Sequence, residues 1–172
     1  MQEQHQRFSE TCAFEIAEMT IDDLPAIMEI EKHSFVTPWS RNLFMEEYHS
    51  DLSMIFVAKP ADAAAGRVVG YLCAWFVEDE VHILNLASHP LFRRQNIARG
   101  LLSHCLAVSS ARGIKWAFLE VRQSNEQARA LYSRYGFKPV GRRKGYYTDT
   151  REDAIVMMLD MESPCSFRNS TG

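Results

Sequence analysis

Three arginines crowd one short stretch, FRRQNIARGLL, at positions 93, 94 and 99 of the 172-residue chain. They flank the first turn predicted for a long helix, whose apolar residues recur at 97, 101, 102, 105, 106 and 108. The amino end of a helix carries unpaired N–H groups and the positive end of the macrodipole, so each added cation costs about 0.3–1 kcal/mol. A phosphate or pyrophosphate held by those N–H groups and by guanidinium together offsets that cost. The alternative is that Arg93 and Arg94 are solvated loop residues and Arg99 a surface residue of the helix. Position favours the anion, because the cluster follows the apolar strand VHILNLAS and precedes a helix, where open sheets collect phosphate ligands. With no GxxxxGK and no GxGxxG, neither a Walker loop nor a dinucleotide fingerprint accounts for it.

A carboxylate and a phenol stand further along. In WAFLEVR, alternation puts Glu120 on the strand face of Trp116 and Phe118, whose apolar surface disfavours its charge and makes a general base of it. The competing reading is a glutamate held by Arg122, two residues on and on the same face. Asn125 and Tyr132 lie seven apart in one predicted helix, within about 20° of a common stripe, so both can face one ligand. A tyrosine on an amphipathic helix is otherwise a core or interface residue.

The elements that must position these groups can be read from spacing. FEIAEM alternates as a strand, and TIDDLPAIMEIEKHS carries Leu24, Ile27 and Met28 at helical spacing behind Thr20 or Asp22 as a cap, with Pro25 in the first turn. A break at FVTPWS leads to a second short helix from about Ser40. MIFVAK, RVVGYLCAWFV and VHILNLAS read as strands, the last two joined by the turn Glu78 to Glu80. The long helix from Asn96 ends at Gly113, and WAFLEV is a further strand. SNEQARALYSRYGF is a helix opened by Ser124 and Gln127 in capping-box spacing and closed by Gly136. KPVGRR and AIVMML end the chain as strands joined by the long polar loop GYYTDTRED. Strands joined by short turns and strands separated by helices together predict a mixed α/β sheet with helices against it.

Composition narrows the function. The chain is 47% hydrophobic and 24% charged, as one globular domain is, and a net charge of −3 with mixed signs gives no bulk attraction to nucleic acid or membrane. The expected division is a polar tail over 1–12, one domain over 13–161 and a second tail over 162–172. No apolar run reaches the roughly 18 residues of a membrane span. Cys12, Cys73, Cys105 and Cys165 have no metal or disulfide spacing and read as free thiols of a cytoplasmic protein. His82, His89 and His104 likewise have no metal-ligand spacing.

The basic turn resembles the coenzyme A pyrophosphate loop of the GNAT acetyltransferases, R/Q-x-x-G-x-G/A, over Arg93, Arg94, Gln95, Asn96, Ile97 and Ala98. Asn96 stands where that family usually has glycine; asparagine is the next most willing residue to take positive φ. EKHSFVTPWS, LNLASHP and the stretch from LEVRQSNEQARALYSRYGF to EDAIVMML are similar, in order and spacing, to the RimI-like branch over residues 14 to 161. That branch acetylates the N-terminal alanine of a small-subunit ribosomal protein. The resemblance implies the GNAT fold, a mostly antiparallel sheet with a splayed strand pair and helices on both faces, with acetyl-CoA as cosubstrate and no metal. It implies Glu120 as proton acceptor, Tyr132 as proton donor to the coenzyme thiolate and Asn125 as a cofactor contact. Backbone groups of Leu86, Ala87 and Ser88 would hold the acetyl carbonyl and pantetheine arm, with Arg93 to Arg99 on the pyrophosphate. Phe35, Trp39, Tyr146 and Tyr147 would wall a slot for the peptide.

Chemistry supports an N-terminal amine, which titrates near about 7.7–8.0 against about 10.4 for lysine, so a modest base suffices. The expected partner is the N-terminus of a ribosomal protein, met by a monomer without nucleic acid or membrane. Two other readings stay open here: acetylation of a lysine or small amine, and a non-catalytic acetyl-CoA-binding module.

Overall fold

A computed structural model describes residues 14–61 and 67–162. Seven strands form one sheet: β1 (Phe14–Glu18), β2 (Ser53–Pro60), β3 (Gly70–Val77), β4 (Glu80–Ser88), β5 (Trp116–Arg122), β6 (Lys138–Tyr147) and β7 (Glu152–Asp160). Their order across the sheet is β1-β2-β3-β4-β5-β7-β6, so the last strand in sequence is an interior strand. Every neighbouring pair is antiparallel except β4 and β5. β2 and β3 read as near-continuous apolar runs because helices cover both of their faces. β6 is the outer strand, exposed along almost its whole length, and its Lys138, Arg142, Arg143 and Lys144 guard that edge.

Four helices pack on the sheet: α1 (Leu24–Ser34), α2 (Arg41–His49), α3 (Ile97–Ala111) and α4 (Glu126–Arg134). On one face α3 buries Ile97, Leu101, Leu102 and Leu106 against Phe56, Leu72, Val81 and Leu119, with Tyr132 of α4 in the same core. On the other, α1 and α2 bury Leu24, Ile27, Ile30 and Phe44 against Val57 and Tyr71. The helices on both faces and the mixed sheet are as the sequence predicts. Gly70 lets α3 sit close, since a Cβ there would stand 2.5 Å from Ile97 Cγ2 and 3.0 Å from the Ala87 carbonyl.

Local starts and stops differ from expectation in three places. Before α1, Thr20, one of the two expected caps, opens a separate 3-10 turn over Ile21–Asp23 rather than α1 itself, and Asp23 closes the capping box: its carboxylate accepts from the N–H and hydroxyl of Thr20 at 2.9 and 3.0 Å and pairs with Lys59 at 2.7 Å. At α4 the cap is Asn125, whose side chain accepts from the Ala128 N–H at 3.1 Å; Ser124 instead donates its N–H to Glu152. β6 runs on to Tyr147, so the expected long loop after KPVGRR is a four-residue turn over 148–151. Ser40 caps α2, and Gly113 and Gly136 close α3 and α4 at positive φ, as read from sequence. The expected tails and Cys12 and Cys165 lie outside the described residues, apart from Glu162.

Candidate active site

The site begins where the sheet fails to stay closed. β4 and β5 are registered only from Glu80 against Trp116 to Ile83 against Leu119. Leu84 is a bulge, because Ala74 pairs with Ile83 and Cys73 with Asn85. The extra residue turns β4 over: Ile83 faces the core under α3, whereas Ala87 joins the core under α1 and α2. From Leu84 onward β4 keeps β3 but has no ladder partner on its β5 side, so backbone groups of Leu86, Ala87 and Ser88 are available to a ligand.

A cavity of about 630 Å³ opens in this fork. Its floor is β4 and β5, with Leu86 and Glu120; one wall is the α1–α2 loop, with Phe35 and Trp39; another is α4, with Asn125 and Tyr132; the end of β6, with Tyr146 and Tyr147, closes it. The structure thus brings both proposed catalytic groups and all four proposed peptide contacts to one space. Ala87, Ser88 and the arginine turn do not line it. They lie beyond it along β4, through a single helical turn at Pro90–Phe92.

The turn itself leaves N–H groups and arginine side chains without partners among the described residues. Arg94 and Asn96 both take the left-handed backbone conformation, at φ 63° and 62°. Asn96 precedes α3 with no side-chain capping bond, so its role there is conformational, as expected for the substitution of glycine. The first intrahelical bond runs from Gly100 N–H to the Asn96 carbonyl, which leaves the N–H groups of Ile97, Ala98 and Arg99 facing out of the helix end. Among the described residues no carboxylate engages Arg93, Arg94 or Arg99, so their charge is unspent. Gln95 is half-buried at the turn.

Glu120 differs from its sequence reading. It shares the strand face of Trp116 and Phe118, but its side chain is 27% exposed and pairs with Arg143 Nη2 at 3.1 Å. Phe118 stacks on His82. Nor does Arg122 hold Glu120. Its guanidinium pairs with Asp149 at 2.7 Å and Glu152 at 3.6 Å and lies 3.9 Å over the Tyr147 ring. Tyr132 is buried, and burial pushes its phenol well above the ordinary value, with Tyr147 adding to the effect. Burial likewise pushes Tyr147 up to about 12. Both rings keep their protons at neutral pH and are available as hydrogen-bond donors.

Four features escaped the sequence. Arg143 is one. A second is a bridge between opposite walls: the Thr37 hydroxyl donates to Asp149 Oδ2 at 3.2 Å, the same oxygen that Arg122 holds. A third is the Ser34 hydroxyl, which is buried beside the cavity with no partner. The fourth is Glu31, wholly buried in α1, whose carboxylate accepts from the Trp39 N–H at 2.7 Å, the Tyr71 hydroxyl, and Asn85 Nδ2 at 3.3 Å from each oxygen. Burial raises its pKa and these donors act against the rise. Its signal was legible: with Leu24, Ile27 and Met28 on the buried stripe, position 31 continues that stripe with a charge.

Residues 24–137 match the acetyltransferase (GNAT) family. This chain belongs to it. As a GNAT member it is 34% identical over 144 residues to the Bacillus subtilis putative ribosomal protein bS18-alanine N-acetyltransferase, covering 84% of this chain and 93% of that one. The Escherichia coli K12 bS18-alanine N-acetyltransferase is 34% identical over 146 residues, covering 84% and 95%. The crystal structure of the E. coli ribosomal-protein-S18-alanine N-acetyltransferase superposes with a TM-score of 0.78 at 32% identity, over 93% of this chain and 99% of that one. Arabidopsis thaliana NAA60 in complex with acetyl-CoA shares the GNAT fold at a TM-score of 0.77 and 19% identity, over 88% and 100%.

Proposed function

We propose that this GNAT enzyme transfers the acetyl group of acetyl-CoA to the N-terminal amine of an alanine-initiated ribosomal protein in the cytoplasm. The observation that carries this reading is one cavity holding Glu120 and Tyr132 between a splayed strand and a wall of aromatic residues, in a chain 34% identical to enzymes named for that reaction.

The donor would lie along the unpaired side of β4, its pyrophosphate on the turn from Arg93 to Arg99. The peptide would enter between Phe35, Trp39, Tyr146 and Tyr147. Glu120 takes a proton from the ammonium, directly or through water, and the freed amine attacks the thioester carbon. Backbone N–H groups of the splayed strand stabilise the oxyanion. As the C–S bond breaks, Tyr132 donates a hydrogen bond to the departing sulfur, and the second proton lost from the attacking nitrogen passes to the thiolate, directly or through water, to leave the amide and the coenzyme thiol. A phenol that holds its proton this tightly is a weaker acid than an ordinary thiol of pKa about 8.5, so it stabilises the sulfur first as a hydrogen-bond donor.

The test is mass spectrometry of products after incubation with acetyl-CoA and a panel: peptides beginning with alanine, the same peptides pre-acetylated, lysine-bearing peptides with blocked ends, and free polyamines. Acetylation of the alanine amine alone is expected. Turnover confined to polyamines or lysine would overturn the substrate, and cofactor binding without any acetylation would overturn the catalysis.

A further inference from the structure

Glu31 has no part in the chemistry above, yet it is a carboxylate with 0% exposure and no cationic partner among the described residues. A buried charge or acid in that position depends on its hydrogen-bond donors. Here the donors come from three separate places. The Trp39 N–H belongs to the α1–α2 loop that walls the peptide slot. Asn85 is the first β4 residue past the bulge, where the strand turns over and loses its β5 partner. Tyr71 comes from β3, outside the cavity lining, and its ring meets Phe44, which in turn meets Trp39.

We propose that Glu31 is a positioning residue that ties the peptide wall of the slot to the acetyl-holding stretch of β4, so that amine and thioester meet in register. Trp39 and Asn85 have no other hydrogen bond joining them. The carboxylate is the shared acceptor through which the loop carrying Phe35 and Trp39 is set against the strand carrying Leu86 to Ser88. An error of about 1 Å between two reacting groups costs on the order of a hundredfold in rate, so such a tie matters from a carboxylate that borders the cavity yet is itself fully buried. The inference rests on the peptide-acetylating reading.

Two variants test it. Glu31→Gln keeps the shape but turns one acceptor into a donor, facing donors already present. Tyr71→Phe keeps the ring packed on Phe44, removes one donor from the carboxylate, and alters a residue that does not line the slot. For an alanine-initiated peptide, KM is expected to rise about tenfold in Glu31→Gln and about threefold in Tyr71→Phe, with kcat per folded enzyme falling alongside it. The acetyl-CoA dissociation constant, measured by calorimetry, should stay within about twofold, because the arginine turn lies elsewhere. KM does not depend on how much enzyme is folded, so a residue serving stability alone would lower active enzyme and melting temperature and leave KM in place. Peptide KM unchanged within about twofold in Tyr71→Phe, and in whatever Glu31→Gln folds, overturns the proposal while the functional reading stands. A native enzyme inert on every peptide overturns both.

Discussion

Glu120 and Arg143 show how one side chain's surroundings decide its behaviour. A half-exposed pair of this kind is worth no more than about 1 kcal/mol, so an incoming ammonium can replace the guanidinium at small cost. Arg143 has an alternative perch, since its guanidinium already lies 5.4 Å from the Tyr146 ring centroid. On the proposed mechanism Glu120 is therefore free to meet the amine, and the Tyr132 phenol, with no hydrogen-bond partner among the described residues, is free to meet the sulfur. In Glu120→Gln, kcat/KM for peptide is expected to fall by about 10²–10⁴ with acetyl-CoA affinity retained, as measured by steady-state kinetics and calorimetry. Tyr132→Phe keeps the ring against Phe137 and loses only the donor; its loss should appear in kcat. Full activity in both would remove them from the mechanism. The buried thiols of Cys73 and Cys105 stand apart from this chemistry, pushed by burial up to about 12.

Two connecting segments set the ends of the site. At the start of α3, Asn96 holds φ 62° without a capping bond, so Asn96→Gly should be stable to within about 1 kcal/mol of the parent and bind acetyl-CoA at least as well. Asn96→Val, which resists that conformation, should lose about 1–2 kcal/mol in urea denaturation and bind more weakly. At the β6–β7 turn, the hydrogen bond from Arg122 holds the Asp149 carboxyl below its usual range, and the Ser124 and Gly145 N–H groups do the same for Glu152 and Asp153. Carboxyls with depressed values stabilise the fold above their unfolded values and lose that contribution as pH falls through the folded ones. The turn should therefore hold unchanged from pH 8 down through neutral and mildly acidic conditions. The amide resonances of Ser124 and Gly145 should shift only below the ordinary values of 4.5 and 3.8, and midpoints at or above those values would contradict it.

Local signals foretold α3 in full, because its apolar spacing, its asparagine start and its glycine stop all lie within one segment. They misplaced the cap of α4 by one residue because Ser124 and Asn125 are equally good caps, and the choice is made by Glu152 from a distant strand. They shortened β6 because exposed residues such as Lys144 and Gly145 show no alternation; pairing of Tyr147 with Glu152 of β7 carries the strand past Arg143. The partner of Glu120 was missed for the same reason: Arg122 is near in sequence, Arg143 near in space. The bridge from Thr37 to Asp149 and the Glu31 cluster join residues far apart in the chain, which no periodicity encodes.

For the molecule as a whole, the sheet separates two tasks. On the proposed reading, the core under α3 carries the turn for the donor, and the core under α1 and α2 carries the peptide wall. Removing bulk from either should cost similar stability but different function. Phe44→Ala, with its ring gone from between Trp39 and Tyr71, should lose about 3–5 kcal/mol and raise peptide KM. Leu106→Ala, fully buried under α3, should lose about 2–5 kcal/mol and leave peptide KM unchanged. Denaturant titration and kinetics on the folded fraction check both, and equal kinetic effects would show that the two faces do not act apart.

The place of β7 has a bearing on how the enzyme comes into being. Until Glu152–Asp160 has been synthesised, the strand bearing Glu120 is fastened only by its brief parallel seam with β4 and has an open edge on the other side. The core under α3 is incomplete without β7 as well, since its Met157 and Leu159 belong to that core beside Leu119 of β5. A polypeptide cut before Glu152 leaves β5 with one free edge and β6 with no partner, so loss of activity in that truncation is the expected outcome.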